Sequence, residues 1–391
     1  MGKDRLIVKN FGPIREADVE LGKITVFIGE QASGKSVLAK LALLLRNPRA
    51  SQNKRHIYNW ITLGFQDLNI SNFLNKNSIG LFYTDQFIFG FEKEEGFREV
   101  KDKDLDKLLS ILHNIEVDIR NNERDNLLKE SYRSNQERFS LGLEAVKSRL
   151  NKSFFLEPVY IPTERHLVSV LVQSLFNLIK HEVSLPNFIK DLGDRYQSSR
   201  NIARQVDLPG MNLQYIFGGH DDKIRLENGK LLDLTESSSG VQSIVPLSII
   251  VEAVNENVNH LFIVEEPELN LYPTTQKALV EYLIEKCTKG NNRLIITTHS
   301  PYILTALNNC IQAQNVIDLH PESAEEVNRI IPPQYHIKYE DVKAYHVAGG
   351  TAKPIMDDEF QVIDANALDD VSNELGSVFD KLLTLKYQNQ D

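Results

Sequence analysis

The sequence is poor in several things at once. Only two cysteines, Cys287 and Cys310, occur in 391 residues, with one tryptophan and three methionines. Two cysteines so far apart leave no CxxC zinc hook and no disulfide scaffold, and they suit a reducing cytoplasm. Excess positive charge is missing too: 44 Lys and Arg face 54 Asp and Glu, a formal charge of −10. A net acidic chain is not a bulk nucleic-acid binder, so any such contact must run through a local basic patch. Long apolar runs are also lacking. The longest stretch free of charged residues, Leu294 to Ile317, is interrupted by His299, Pro301, Asn308, Asn309, Gln312, Gln314 and Asn315, which is too polar for a bilayer span. Met1 to Leu6 leads into alternating strand residues without an apolar h-region, and Leu6 stands where a myristoylation signal wants Ser or Thr. The expectation is a cytoplasmic protein with no membrane contact.

What is present is ordinary globular composition, 41% hydrophobic and 25% charged. The length fits one large α/β domain with an insertion, or two modest domains. Residues 5–28 read as two strands around Gly12-Pro13, the second (Lys23 to Ile28) nearly all apolar, as a buried parallel strand is. A helix follows from Ser36, with Leu38, Leu41, Ala42 and Leu45 on its apolar face. From about 92 the composition changes. Leu105, Leu108, Leu112, Ile115 and Ile119 form one a/d seam, and Phe139, Leu143, Val146 and Leu150 form another. These predict a helical hairpin insertion over 92–155, its arms too short for a long coiled coil. Strand–helix alternation then resumes: a strand at 158–161, a helix at 166–180, helix and loop to 209, and a hairpin around Gly229. After it come helix 243–256, strand 261–265, helix 274–288, strand 293–297, helix 301–308, and strands near 315–319 and 342–348. This order implies a mostly parallel sheet with helices on both faces, formed by residues 1–91 and 156–391.

Four motifs carry the chemistry. Gly29-Glu30-Gln31-Ala32-Ser33-Gly34-Lys35-Ser36 is a complete GxxxxGK[ST] between an apolar strand and a helix. Its glycines let backbone N–H groups, with those of Gln31, Ala32 and Ser33, curl around phosphate at a helix N-terminus. Lys35 would reach the β- and γ-phosphates of ATP, and the Ser36 hydroxyl would ligate Mg²⁺. Leu261-Phe262-Ile263-Val264-Glu265-Glu266-Pro267 reads as a Walker B strand, with Glu265 serving the metal and Glu266 as general base. Arg293 to Thr298 delivers His299 at a strand end, where it can meet the γ-phosphate and the attacking water. Ser237-Ser238-Ser239-Gly240 opens an apolar helix, and its donors make sense if they meet a phosphate held by a second copy of the chain. Pro246 lies either in the first turn of that helix or at a kink within it.

These four elements in this order resemble the ABC ATPase superfamily, specifically its SMC/RecF/OLD-like branch. Asn10-Phe11-Gly12-Pro13-Ile14, Glu265 to Pro273 and Thr298-His299-Ser300-Pro301 carry that narrower likeness. Relatives include ATPase subunits of prokaryotic antiviral systems: the Septu, PARIS and retron-linked ATPases and the OLD-like nucleases. The resemblance implies a P-loop NTPase fold and an ATP sandwich, with Lys35 and Ser36 of one protomer facing Ser238, Ser239 and Gly240 of the other. It further implies slow ATP hydrolysis and a homodimer controlling a separate effector, a nuclease or toxin. The signature departs from Leu-Ser-Gly-Gly-Gln, and no Q-loop glutamine is visible. Glu164, at the end of the 158–161 strand, is the nearest candidate metal or water ligand, or it belongs to a plain turn.

A RecF- or SMC-like DNA repair clamp is the alternative. Arg46, Arg49, Lys54, Arg55 and His56 are either a DNA-facing loop or a solvated one, and Arg195, Arg200 and Arg204 pose the same choice. Trp60 and the aromatics near it read as core or partner interface. The acidic residues Asp357, Asp358, Glu359, Asp364, Asp369 and Asp370 sit beside a Gly349-Gly350 turn and a helical spacing of Leu368, Val371, Leu375 and Phe379. That context predicts a hairpin and terminal helix rather than a nuclease centre.

Overall fold

A computed structural model describes residues 4–45, 68, 70, 73, 79–83, 88–93, 97–98, 156–171, 185–364, 377 and 380–382. The opening segment forms three strands, not two: β1 (Asp4–Phe11), β2 (Ile14–Leu21) and β3 (Ile24–Ile28). β1 and β2 pair antiparallel across Gly12-Pro13. β2 buries Ile14, Ala17, Val19 and Leu21 while Arg15, Glu16 and Asp18 stay exposed. That charged face hides the strand behind the uniformly apolar β3. β3 runs through residues 29–34 into α1 (Lys35–Leu45).

Three more antiparallel strands, β4 (Ile79–Tyr83), β5 (Ile88–Lys93) and β6 (Phe97–Arg98), continue outward from β1. Residues 92–93 and 97–98, at the start of the expected helical insertion, are therefore strand. Both apolar seams of that insertion, the basic run 46–56, Trp60 and Asp369-Asp370 lie outside the described residues.

Past the insertion come β7 (Glu157–Ile161), α2 (Arg165–Leu171) and α3 (Asn187–Ile202). A separate antiparallel sheet follows, made of β8 (Gln205–Asp207), β9 (Gln214–Phe217), β10 (Asp222–Arg225) and β11 (Leu231–Asp233). β8 thus replaces the expected loop. Buried Asp222 ties this sheet to α3, accepting from Tyr196, Tyr215 and Arg200. Arg200 is accordingly a core residue, not a member of a solvent- or DNA-facing basic stretch.

The chain continues through α4 (Ser239–Glu252), β12 (His260–Glu265), α5 (Pro273–Cys287), β13 (Arg293–Thr298), α6 (Pro301–Leu319) and α7 (Ala324–Ile330). It closes with β14 (Val342–Ala348), β15 (Thr351–Pro354) and a small hairpin, β16 (Met356–Asp357) with β17 (Val362–Ile363). Residues 315–319, expected as strand, are the last turn of α6. Leu307, Cys310, Ile311 and Asn315 carry its buried stripe through that point without a turn signal. In the last hairpin Asp357 accepts from the Glu359 and Phe360 amides and Asp358 accepts from Tyr339. Asp357 thus serves its own turn, and Asp358 ties the hairpin to Tyr339. No described helix is long and apolar enough to cross a membrane.

The large sheet has the order β6-β5-β4-β1-β2-β15-β14-β3-β13-β12-β7. From β14 to β7 all neighbours are parallel. Alternation along these strands feeds two cores. Leu261, Ile263, Ile295 and Phe27 pack toward α1, while Phe262, Val264, Leu294, Ile296 and Val26 pack toward α4, α5 and α6. Helices therefore cover both faces, as a parallel sheet requires. This is the α/β P-loop fold that the motifs predict.

Candidate active site

Five parallel strands end at one edge, and their order dictates what meets there. β13 lies between β3 and β12, so the residue ending β13 must stand between the loop after β3 and the carboxylates ending β12. His299 does. The Lys35 Nζ lies 3.4 Å from both of its ring nitrogens, and its Nε2 lies 2.7 Å from Glu266 Oε1. A carboxylate only accepts, so the Nε2 of His299 carries a proton and donates it.

The loop from 29 to 34 is shaped for close backbone approach. Gly29 and Gly34 have φ of 150° and 108°, and a Cβ on either would collide, with Val347 O and Ile14 Cδ1 respectively. Ala32 also takes a left-handed conformation, φ 58°. Gln31 and Ala32 are exposed at the tip, while Ser33 tucks in with its Oγ buried and without a hydrogen-bond partner among the described residues. Buried Lys35 donates to Gly29 O at 2.9 Å and Glu30 O at 2.7 Å. Burial pushes its ammonium below the usual lysine range, against the pull of Glu266, Glu268 and Glu265.

Glu265 is nearly inaccessible, and its Oε1 has no hydrogen-bond partner among the described residues. Burial raises its pKa. Lys40 and the hydroxyls of Tyr160 and Ser36 pull it back, and Glu164 adds to the rise. A buried carboxylate with an unsatisfied oxygen next to a serine hydroxyl is a donor set that fits a hard divalent cation. Mg²⁺ there would be held by Ser36 and Glu265, completing its shell with water and phosphate oxygens. Glu164 faces the same carboxylate from the turn after β7, its Oε2 accepting from Thr163.

Two residues that sequence reasoning missed hold these groups in place. Glu268 Oε1 accepts from Thr298 Oγ1 at 2.6 Å, from the His299 amide at 2.8 Å and from the Ser300 amide at 3.2 Å, fixing the backbone that carries His299. Its place in Glu266-Pro267-Glu268 is the only signal that marks it. Arg165 is fully buried, and its guanidinium spans Pro162 O, Ser243 O, Glu265 O, Glu266 O and Pro267 O. Its partners are main-chain carbonyls, which leave no trace in sequence. Burial draws its pKa down to about 10, with the nearby glutamates opposing. It remains charged at neutral pH.

The serine turn sits apart. Ser238 is the N-cap of α4, yet its side chain makes no capping hydrogen bond, and Ser238 and Ser239 are exposed. No hydrogen bond joins either to residues 29–36 among the described residues. Gly240 is buried against the segment after Glu266, where a Cβ would lie 2.7 Å from Asn270 O. α4 starts four residues earlier than expected, so Pro246 falls well inside it rather than in its first turn.

The arrangement can hold a triphosphate at the β3–α1 loop, place a divalent cation between Ser36 and Glu265, and orient water beside the hydrogen-bonded Glu266–His299 pair. A family model for an AAA ATPase domain matches residues 173–304. That is about a third of the chain. No curated protein matches it. Among solved structures, the SMC head domain from Thermotoga maritima aligns at 11% identity over 91% of this chain and 98% of its own, with a TM-score of 0.39. The Smc head domain with an extended coiled coil from Pyrococcus furiosus, bound to the C-terminal domain of ScpA, aligns at 11% identity over 91% and 96%, with a TM-score of 0.40. An ATP-binding cassette of an ABC transporter in its ADP conformation gives 10% identity over 90% and 89%, with a TM-score of 0.33.

Proposed function

We propose that the chain is an ATP-hydrolysing switch whose two copies close on two ATP molecules and control a separate effector protein. The observation that carries this is the line Lys35–His299–Glu266 at the edge of the parallel strands, standing apart from an exposed serine turn. Mg²⁺, when bound at Ser36 and Glu265, would neutralise charge on the β- and γ-phosphates. Lys35 and the loop amides position the γ-phosphate. Glu266 accepts the proton of the attacking water, and His299, donating through Nε2, orients that carboxylate. Ser238 and Ser239, at the positive end of α4, would supply donors to the phosphate held by the partner.

Control of an effector in antiviral defence is the finer part of this reading. It draws on the SMC/RecF/OLD-like motif set and on a site whose described residues are accounted for by nucleotide chemistry. Dimerisation is tested by light scattering of Glu266→Gln with ATP and Mg²⁺. Trapped dimers are expected, with Lys35→Ala remaining monomeric. A Glu266→Gln protein that stays monomeric while binding ATP would end the sandwich reading. Effector control is tested by co-expression with the product of a neighbouring nuclease or toxin gene, whose activity should follow the ATP state.

A further inference from the structure

α4 contains a proline where a helix tolerates one poorly. Pro246 has no N–H, so the carbonyl four residues back, Gln242 O, loses its helical partner. That carbonyl is nevertheless satisfied: Ser169 Oγ donates to it at 2.7 Å. The next carbonyl, Ser243 O, accepts from Arg165 Nε at 3.2 Å. Arg165 and Ser169 are four residues apart on α2, hence on one face. One helix therefore supplies the donor that the proline removes and a second donor to the carbonyl beside it.

The same guanidinium holds the catalytic turn. Its Nη1 donates to Glu265 O at 2.7 Å, and its Nη2 donates to Glu266 O at 2.7 Å and to Pro267 O at 3.3 Å. Glu266 needs holding, because its φ is 42°, a conformation that non-glycine residues rarely adopt. Its amide donates to Thr297 O at 2.8 Å and its carbonyl accepts from Arg165, so the strained residue is clamped on both sides. At the other end, the Gln242 side chain donates to Leu234 O, Thr235 O and Ser237 O, binding the serine turn to α4.

We infer that Arg165 is a positioning residue that transmits engagement of the serine turn to the Glu266 carboxylate. The path runs from Ser237–Gly240 through Gln242 and Ser243 to the guanidinium, and from there to the carbonyls of Glu265 and Glu266. The inference rests on the dimeric ATPase reading, in which the partner's nucleotide meets that turn. Displacement of α4 along its axis then moves the group that sets the backbone angle of the base.

The test measures phosphate release per protomer as protein concentration rises, for wild type, Arg165→Lys and Arg165→Gln, with fluorescent-ATP affinity and far-UV circular dichroism as controls. The expected result is a kcat lower by about 10²-fold, the effect of misplacing a reacting group by about 1 Å. KM and nucleotide affinity should stay within about twofold, as uniform binding is untouched. Arg165→Lys combined with Glu266→Gln should still form the ATP dimer. Normal turnover in both Arg165 variants overturns the inference, and so does loss of the trapped dimer, which would place Arg165 in assembly. A wild-type rate independent of concentration sinks the dimeric reading itself. Should the Arg165 variants misfold, Ser169→Ala removes the neighbouring α2–α4 hydrogen bond to Gln242 O, and Pro246→Ala gives that oxygen a helical N–H that competes with Ser169. Both should lower kcat at constant nucleotide affinity, and unchanged turnover in both overturns the inference.

Discussion

Ser169 and Pro246 offer a sharp test of the packing between α2 and α4. Ser169 is 3% exposed, and its hydroxyl is the donor to Gln242 O, which cannot receive one from residue 246. Ser169→Ala leaves that buried carbonyl unpaired, at a cost of about 1–3 kcal/mol. Pro246→Ala restores a helical N–H aimed at the same oxygen. In that background Ser169→Ala removes a redundant donor, and its cost should fall to about 0.5 kcal/mol or less. The double-mutant cycle therefore has an expected coupling of about 1–2 kcal/mol. Pro246→Ala alone combines relief of ring strain with lost packing, so its own sign is not diagnostic; the coupling is. Urea unfolding in nucleotide-free buffer, followed by circular dichroism, supplies the four stabilities, and hydrogen exchange of the α4 amides reports the same energies locally. Equal costs for Ser169→Ala in both backgrounds would refute the idea that this hydroxyl replaces the missing N–H.

Other outcomes follow from single contacts. Glu268→Gln keeps an acceptor but loses the charge that draws three donors; kcat should fall by roughly tenfold with ATP affinity preserved, since a charge-assisted bond contributes about twice a neutral one. Gly240→Ala places a Cβ against Asn270 O, so concentration-dependent turnover should drop while monomer affinity for ATP persists; an unchanged rate would show that the turn yields freely. Cys310 is buried with its thiol pushed up to about 12 by desolvation, and burial likewise raises Cys287 well above the ordinary thiol range. As the pH rises to 8 both remain thiols, so native protein should not react with a disulfide reagent, whereas denatured protein should release two equivalents. Rapid native labelling would contradict the packing of α5 and α6.

The phosphate loop, Glu265-Glu266 and His299 were legible because each is a polar cluster directly following an apolar strand. Strand order then brings them together without further information. The serine turn was legible as an anion donor, but the start of α4 was not, because residues 239–242 carry no apolar stripe of their own. β2 was lost behind its charged face. The last turn of α6 was read as strand because Val316 and Ile317 look alike in either state. Arg165 was invisible for a different reason. Four of its five partners lie 78 to 102 residues away, and all are backbone oxygens, which every residue possesses. Only the folded chain brings those oxygens around one guanidinium.

Gln242 gives the serine turn an unusual mechanical character. A loop whose three carbonyls are gripped by the helix it precedes has little slack. A push on its tip is not dissipated by bending and must reappear as motion of the rod behind it. The molecule has a stiff handle where a pliable one would have muffled the message.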